Sequence, residues 1–358
     1  MQKSGPADTH GRGARSNDSS RYDREKRSTF DDGWDIPEEA PRLHTEIIQD
    51  STRRIITRNS SPDISFNQSI NPYRGCEHGC IYCFARPTHA YLGLSPGLDF
   101  ESKLFVKPEA ARLLAQELRH RSYVPQVIAM GTNTDPYQPV ERELKVMRSV
   151  LSVLWEFRHP VSIVTKSALI VRDLDILAPM AGEGLTKVFV SITTLDRSLA
   201  RIMEPRAATP DKRLHALREL SRAGVPCGVM TAPMIPALND AEMEDILAAA
   251  AAAGAGEAGY TLLRLPLEIK DLFREWLESE LPDRAKHVMT LIRSMRGGKD
   301  YDAEWGKRMT GTGPYAELMA QRFKLAVGRL GLNKQRAQLD CTRFRCPPRA
   351  GDQLGLFR

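Results

Sequence analysis

Six short apolar runs recur along the chain from residue 65 onward, and amphipathic segments separate them. The runs cover residues 66–73, 127–132, 161–166, 187–193, 226–232 and 260–265. Continuous apolar runs of this length are typical of strands that are buried in a parallel sheet. Helical patterns lie between the runs, over 108–121, 141–157, 172–180, 210–224 and 240–254. Runs begin about 30 to 40 residues apart, the size of a βα unit, apart from a longer first interval. The pattern therefore predicts an α/β fold of six βα units.

Six βα units can form a partial (β/α)6 barrel or an open, doubly wound sheet. A G-x-G-x-x-G phosphate-binding pattern does not follow the first strand, which favours the barrel. In a parallel βα array, the residues that follow the strands meet at one edge and carry the chemistry. Polar segments follow the strands here, at 131–141, 165–167, 191–196 and 232–240. The sequence therefore predicts a single functional edge.

The two ends of the chain differ from its centre. Residues 1–45 are polar and charged with few aliphatic side chains, which predicts a disordered arm. Residues 46–300 are assigned to the partial barrel and 301–340 to a helical C-terminal extension with an amphipathic helix after Pro314. Residues 341–358 are predicted to form a flexible tail.

Composition limits the class of protein. The 358 residues carry a net charge of +6, which is compatible with nucleic-acid binding without indicating it specifically. The sequence lacks both an apolar run long enough to span a membrane and a hydrophobic signal sequence, so no membrane association is expected. We therefore expect a cytoplasmic protein, in which clustered cysteines indicate a metal rather than disulfides.

Half of the six cysteines lie within eight positions, as Cys76, Cys80 and Cys83, directly after the first predicted strand. Three thiolates suit a zinc ion or an iron–sulfur cluster. Zinc requires a fourth ligand, and His78 has to fold back against its neighbours to supply one. A cubane cluster requires four iron ligands, so three thiolates leave one iron open to a small molecule.

At this point the sequence resembles the radical S-adenosylmethionine superfamily, from about residue 65 to 300. Its motif is C-x-x-x-C-x-Φ-C with an aromatic residue before the last cysteine, and Tyr82 occupies that place. The resemblance implies the partial (β/α)6 barrel, a [4Fe–4S] cluster on Cys76, Cys80 and Cys83, and S-adenosylmethionine bound to the open iron. It also implies reductive cleavage to a 5′-deoxyadenosyl radical and an electron donor such as flavodoxin or ferredoxin.

The polar segments resemble the uncharacterised group related to spore photoproduct lyase. In that lyase a lysine after the third strand and a serine in the fourth contact S-adenosylmethionine, and Lys166 and Ser191 stand at matching places. The alternative interpretations are a solvated surface lysine and a packed strand serine.

Thr132, Asn133 and Thr134 occupy the place where the superfamily carries the segment that binds the amino group of S-adenosylmethionine. The same residues also suit an Asn-centred turn, and the two interpretations are compatible. Glu204 and Arg206 are candidates for binding ribose or substrate, or for a simple ion pair, and the sequence does not choose between them.

Two departures argue against photoproduct lyase activity. The lyase has a tyrosine directly after its third cluster cysteine, whereas this chain has Phe84, which lacks a hydroxyl hydrogen. The lyase also carries a hydrogen-donating cysteine after its second strand, and residues 131–138 contain none. Cys227 in the fifth strand is interpreted as a small buried apolar residue rather than a replacement donor.

The C-terminal residues raise two further hypotheses. Cys341 and Cys346 form a C-x-x-x-x-C pair, which we interpret as reduced thiols, with a second metal site as the alternative. Gln353, Leu354, Leu356 and Phe357 resemble the pentapeptide by which bacterial proteins bind the sliding clamp. A chain end that packs its leucines on the barrel is the other interpretation.

The main hypothesis is a radical S-adenosylmethionine enzyme with an unidentified substrate, and nucleic acid and DNA repair are considered because of the lyase resemblance. The alternative is a non-catalytic zinc-binding or DNA-associated scaffold that retains the barrel.

Overall fold

The computed structural model describes residues 11–23 and 43–348, and its strands and helices alternate along most of the chain. The strands of the described residues are β1 (Glu46–Gln49), β2 (Ile56–Arg58), β3 (Gln68–Ile70), β4 (Tyr73–Arg74), β5 (Lys103–Val106), β6 (Ile128–Met130), β7 (Val161–Thr165), β8 (Thr186–Ser191), β9 (Cys227–Met234) and β10 (Glu257–Leu262).

The helices connect these strands and extend the chain beyond the last one. They are α1 (Leu98–Ser102), α2 (Ala110–Leu118), α3 (Glu141–Leu144), α4 (Val146–Glu156), α5 (Leu174–Gly182), α6 (Arg197–Met203), α7 (Pro210–Arg222), α8 (Met243–Ala252), α9 (Ile269–Glu280), α10 (Pro282–Ser294) and α11 (Pro314–Leu330). In the part of the chain that the structure describes, none of them is long and apolar enough to cross a membrane.

The six predicted strands form one parallel sheet, as β3, β6, β7, β8, β9 and β10 in that spatial order. The antiparallel strand β2 borders it next to β3. Because the order of the parallel strands follows the chain without reversal, the doubly wound alternative is wrong. The prediction of an α/β fold with a parallel sheet is confirmed. A second sheet of order β1-β5-β4 lies outside it.

The main core lies between the parallel sheet and its helices. Ile163, Val190 and Val229, from three adjacent strands, are fully buried, and so are Leu151 and Leu217 on the helices that cover them. In β7, fully and partly buried residues alternate, as expected for a strand whose two faces are covered to different extents. Burial of these aliphatic side chains fixes the sheet, and therefore the positions at which its polar loops begin.

A second core cluster joins α9 and α10 to the cysteine-bearing segment. Phe273 and Trp276 of α9 are buried together with Ile81 and Tyr82. The indole nitrogen of Trp276 donates a hydrogen bond to the carbonyl oxygen of Ile202 at 3.1 Å. The two helices that follow the last strand thus support the functional edge.

Residues 11–23 correct part of the prediction of a disordered arm over residues 1–45. The backbone amides of Gly13 and Ala14 donate to the Glu101 carboxylate at 2.9 and 2.8 Å, and Ala14 is fully buried. A buried carboxylate requires donors, and the amides of this polar segment supply them. We call residues 11–23 the N-terminal strap.

The C-terminal extension contains α11, which contacts the start of α8 and the turn before it. The phenol of Tyr315 donates to Asp240 at 2.5 Å, and Arg322 pairs with Glu244 at 2.6 Å. Residues 341–348 correct the prediction of a flexible tail for that part, because the ring of Phe344 contacts those of Tyr123 and His159 and buries apolar surface. The domain boundaries otherwise remain predictions.

The single helix predicted over residues 141–157 is instead two helices, which break at Lys145 with φ of 52°. The buried carboxylate of Glu141 turns back and accepts the backbone amides of Met147 and Arg148, at 2.9 and 3.4 Å. An acceptor for these amides at the start of α4 explains the interruption.

Candidate cofactor site at the cysteine loop

The cysteine loop, residues 75–84, follows β4 and is held through its backbone. The amide of Cys76 donates to the carbonyl oxygen of Phe100 at 3.0 Å, and that of Ile81 donates to Met203 at 3.1 Å. The amide of Cys83 donates to the carbonyl oxygen of Cys80 at 3.2 Å. The loop is therefore tied to α1 and α6 and closed internally by its own turn.

The side chain of Arg86 binds the backbone of the cysteine loop. Its buried guanidinium donates to the carbonyl oxygens of Gly79 at 3.0 Å and Cys80 at 2.9 Å, and pairs with Glu101 at 2.5 Å. The same carboxylate binds Gly13 and Ala14 of the N-terminal strap. The strap, the ion pair and the loop thus form one connected hydrogen-bond network.

The three thiols suit a cluster that requires thiolate ligands. All three cysteines are free of disulfides; Cys76 and Cys80 are buried and Cys83 is half-buried. Burial, and then the neighbouring Asp135, Cys80 and Cys83, raise the pKa of Cys76. Burial and Glu204 raise the pKa of Cys80, which Lys166 opposes. Binding of metal therefore has to displace protons from these thiols.

The donor set, three free thiols in one short loop, is of the kind that binds a [4Fe–4S] cluster. Among the described residues, these cysteines included, no three His, Cys, Asp or Glu side chains are arranged as a group that could hold a metal ion. The assignment of Cys76, Cys80 and Cys83 as cluster ligands therefore rests on this donor set and on the comparisons below.

The loop after β6, residues 131–138, lies over the cysteine loop. Asn71 fixes its start: the side-chain oxygen of Asn71 accepts the amides of Asn133 and Thr134 at 3.1 and 3.4 Å, and its amide contacts Thr132 at 3.2 Å. The hydroxyl of Thr134 donates to the carbonyl oxygen of Tyr73. These contacts form a polar turn, and the exposed side chain of Asn133 remains available to a ligand.

Gln138 connects the two loops directly. Its amide nitrogen donates to the carbonyl oxygen of Gly75 at 3.2 Å, and its amide oxygen accepts the backbone amide of Glu77 at 2.9 Å. Gln138 is fully buried. Because both ends of the side chain are satisfied by the backbone around Cys76, it fixes the spacing of the two loops.

Asp135, in the loop after β6, contacts both the end of β7 and the cysteine loop. Its carboxylate accepts the hydroxyl of Thr165 and the amide of Lys166, both at 2.7 Å, and lies 3.4 Å from the Nδ1 atom of His78. Burial opposes ionisation, but His78, Lys166 and Thr165 lower the pKa of Asp135 to about 2. His78 therefore contacts a carboxylate that is ionised at neutral pH.

Lys166, which the resemblance predicts to contact S-adenosylmethionine, directly follows β7. Its ammonium nitrogen is 5.7 Å from the centroid of the Tyr82 ring, beside the cysteine loop. The phenol of Tyr82 donates to the buried carboxylate of Glu204, which also accepts from Thr193 at 2.9 Å. This contact fixes the ring that the ammonium group faces. Lys166 is therefore partly buried beside the cysteine loop, and its role as a ligand stays a prediction.

Ser191, Glu204 and Arg206 have other partners. The hydroxyl of Ser191 donates to the carbonyl oxygen of Ala232 at 3.3 Å, and its side chain is buried in β8. Glu204 forms a buried ion pair with Arg213, and Arg206 pairs with Glu77 at 3.0 Å. Glu204 and Arg206 thus form ion pairs, but not with each other.

The remaining cysteines lie apart from this site. Cys227 is buried in β9, contacts the carbonyl oxygen of Gly254 at 3.4 Å, and has its pKa raised to about 11 by burial. This agrees with the interpretation as a small buried residue. Cys341 and Cys346 pack near Phe344 and Leu118 at the other end of the chain.

Sequence reasoning missed several residues that build the site: Asn71, Arg86, Glu101, Asp135 and Gln138. Asp135 and Gln138 stood in the polar segment after the second strand, which was the available signal. Arg86 and Glu101 are buried charges, and their partners are distant along the chain or lie on the backbone, so a single sequence carries no signal for them.

Comparison with known proteins identifies the class to which this protein belongs. The model of the radical SAM superfamily matches residues 70–250. An uncharacterised protein of Mycobacterium tuberculosis strain H37Rv is 38% identical over 234 residues, 64% of this chain and 68% of the relative. An uncharacterised protein of Methanocaldococcus jannaschii is 28% identical over 197 residues, 55% of this chain and 71% of the relative.

The fold is similar to that of spore photoproduct lyase complexed with dinucleoside spore photoproduct. The TM-score is 0.56 at 17% identity, with 80% of each chain covered. At this identity the likeness concerns the fold. Together with the family match, it shows that this chain belongs to the radical SAM superfamily and is a radical SAM enzyme. The non-catalytic scaffold is thereby the weaker hypothesis, and the reaction is unspecified.

Proposed function

We propose that Cys76, Cys80 and Cys83 bind a [4Fe–4S] cluster and that the adjoining edge of the sheet binds S-adenosylmethionine. The observation that carries this proposal is the convergence of three close, unpaired thiols with the ammonium group of Lys166. When bound, the reduced cluster supplies the electron that cleaves S-adenosylmethionine to a 5′-deoxyadenosyl radical, which abstracts a substrate hydrogen.

The residues of this chain have distinct roles in the proposal. Lys166 binds the carboxylate of S-adenosylmethionine by charge, and Thr132, Asn133 and Thr134 provide hydrogen-bonding groups for its amino group. Tyr82 forms an ordered apolar wall beside Cys83, since Glu204 fixes its hydroxyl. Ser191 remains a candidate contact through rotation of its hydroxyl away from Ala232.

The proposed chemistry requires a fold that limits the access of water and competing hydrogen donors. We propose that the six parallel strands curve as a partial barrel around the cofactor, with the cysteine loop closing one end. The N-terminal strap and the Arg86–Glu101 pair cover the outer side of that loop. A reducing cytoplasm is the compartment that suits such a cluster.

The reaction is proposed to differ from that of spore photoproduct lyase. Phe84 follows Cys83 and has no hydroxyl hydrogen, and residues 131–138 have no cysteine to donate one. Cys227 does not replace it, because its thiol contacts backbone carbonyls inside the core. A nucleic-acid substrate remains a prediction.

Anaerobic reconstitution with iron and sulfide tests the cluster assignment. The wild-type protein is expected to bind about four iron atoms per chain and to turn brown. Cys76→Ala, Cys80→Ala and Cys83→Ala are each expected to abolish the cluster, because each iron-bound thiolate is needed to hold it. A single variant with full cluster content, or a colourless zinc protein, contradicts the assignment.

We also propose two protein partners. A flavodoxin or ferredoxin is the class of electron donor that such a cluster requires. The peptide Gln353, Leu354, Leu356 and Phe357 is proposed to bind the sliding clamp, through apolar anchors and one orienting amide. These residues lie outside the described part of the chain. Micromolar clamp binding that disappears on truncation after Asp352 supports the proposal, and absence of binding by the full chain refutes it.

A further inference from the structure

Two aromatic residues flank Cys83, and a cation lies over each ring. The ammonium group of Lys166 is 5.7 Å from the Tyr82 ring, and the guanidinium carbon of Arg264 is 4.2 Å from the Phe84 ring centroid. Arg264 follows the carboxyl end of β10, whereas Lys166 follows β7. Cys83 is therefore bracketed by two cations that come from separate strands of the sheet.

Arg264 differs from its cationic neighbours in having no polar partner. Arg308 pairs with Asp63 and also donates to Ser61 at 2.6 Å. Arg296 donates to the carbonyl oxygens of Leu263 and Lys307, both at 2.8 Å. Within residues 11–23 and 43–348, by contrast, Arg264 makes neither a hydrogen bond nor an ion pair with a side chain or with the backbone.

The charged groups around Arg264 act on it only from a distance. Burial lowers the pKa of Arg264, while Tyr301, Cys83 and Asp63 act in the opposite direction from a distance. The carboxylate of Asp63 accepts hydrogen bonds from the amide of Gly306 at 2.7 Å and from Arg308, and it does not pair with Arg264. The nitrogen atoms of Arg264 are not among the buried atoms that lack a partner, so its N–H donors reach solvent and can bind a ligand with acceptor oxygens.

The contact between Arg264 and Phe84 also favours one kind of ligand. Contact with the face of Phe84 orients the planar guanidinium, whose five N–H donors lie in one plane and match two oxygens of an oxyanion. Phe84 itself is 44% exposed, so the pair is open to a molecule that approaches the cysteine loop. In the proposed function Lys166 binds the carboxylate of S-adenosylmethionine. Arg264 is then available to bind the substrate.

We propose that Arg264, oriented by Phe84, binds an oxyanionic group of the substrate, a phosphate or a carboxylate, beside Cys83. The proposal rests on the radical chemistry proposed above and names the class of substrate. Arg264 is thus a specificity-determining residue: it holds the charged group of the substrate while another part of the molecule faces the radical.

Isothermal titration calorimetry tests this on the reconstituted protein with S-adenosylmethionine bound, at constant ionic strength. Sodium phosphate and sodium acetate are the two probes, and they distinguish a phosphate from a carboxylate site. The variants are Arg264→Ala, Arg264→Lys and, as a matched control, Arg218→Ala on the exposed side of α7. Iron content and circular dichroism confirm that each variant is folded and loaded.

We expect the wild-type protein and Arg218→Ala to bind one of the anions with the same affinity. Arg264→Ala is expected to bind it about ten-fold or more weakly, since a charge-assisted contact is removed. Arg264→Lys is expected to restore binding only in part, because a point charge lacks the bidentate fork. Binding to Arg264→Ala with wild-type affinity, or no binding of either anion to the wild type, overturns the proposal.

A parallel measurement separates this inference from the proposed function. Formation of 5′-deoxyadenosine by the wild-type protein reports reductive cleavage of S-adenosylmethionine and requires neither probe anion. If cleavage occurs and anion binding does not depend on Arg264, the oxyanion site is wrong and the radical chemistry stands. If cleavage does not occur, the radical chemistry is wrong whatever the calorimetry shows.

Discussion

Replacement of Gly13 by alanine is expected to detach the N-terminal strap from the cysteine loop. A Cβ atom at residue 13 would lie 1.8 Å from the carbonyl oxygen of Gly79 and 3.4 Å from the carboxylate of Glu101. The first distance is far below van der Waals contact, and its partner is backbone that Arg86 holds. The strap, which is the less firmly held of the two segments, has to move.

The magnitude follows from the contacts that this movement breaks. The amides of Gly13 and Ala14 donate to the Glu101 carboxylate at 2.9 and 2.8 Å. A hydrogen bond to a charged group contributes about 1.5–3 kcal/mol, so the loss of both weakens attachment by roughly 3 kcal/mol or more. Glu101 retains its ion pair with Arg86, so the rest of the fold is expected to persist while residues 11–23 open locally.

Hydrogen exchange followed by mass spectrometry measures this opening. A change of roughly 3 kcal/mol corresponds to about a hundred-fold faster exchange or more for amides in residues 13–17. The exposed loop is also expected to lose its cluster faster in air, as seen by the decay of visible absorbance. Gly182→Ala in α5, where a Cβ meets nothing within 4 Å, is the control. Unchanged exchange in Gly13→Ala refutes the role of the strap.

Three further variants test other parts of the site. Lys166→Ala is expected to weaken S-adenosylmethionine binding about ten-fold or more with unchanged iron content, and an unchanged dissociation constant excludes it from the site. Glu204→Gln breaks the buried pair with Arg213 and is expected to reduce the free energy of unfolding, measured by urea denaturation, by about 3–5 kcal/mol. A loss below about 1 kcal/mol contradicts the importance of the pair. Cys341→Ala and Cys346→Ala are expected to leave iron content unchanged, and a loss of about half indicates a second cluster.

The parallel sheet was predictable from the sequence because its strands are short apolar runs that recur at the spacing of βα units. Continuous apolar runs such as residues 161–166 and 187–193 mark such strands, and each of the six predicted runs contains or overlaps a strand of the sheet. Lys166 was proposed from the lyase resemblance, on its place directly after a strand, and its role stays a prediction. The strands β1, β2 and β5 were missed, since they lie outside the six recurring runs, and β4 was not separated from the first run, which ends at Tyr73.

The supporting side chains were not predictable for a different reason. Glu101 acts through residues that are 87 and 88 positions away, and Arg86 acts largely through backbone carbonyls. Such pairings depend on the tertiary fold and leave no local pattern. For the same reason the strap was predicted to be part of a disordered arm. Its backbone amides donate to a buried carboxylate instead of to water, and the sequence carries no sign of that pairing.

Formation of 5′-deoxyadenosine is the most direct test of a cluster held by Cys76, Cys80 and Cys83. The reconstituted protein is incubated anaerobically with S-adenosylmethionine and dithionite, and the product is quantified by chromatography and mass spectrometry. The wild-type protein is expected to form 5′-deoxyadenosine and methionine in equal amounts, and each cysteine-to-alanine variant is expected to form none. A wild-type protein that carries a full complement of reduced cluster but forms no 5′-deoxyadenosine would contradict the proposed function.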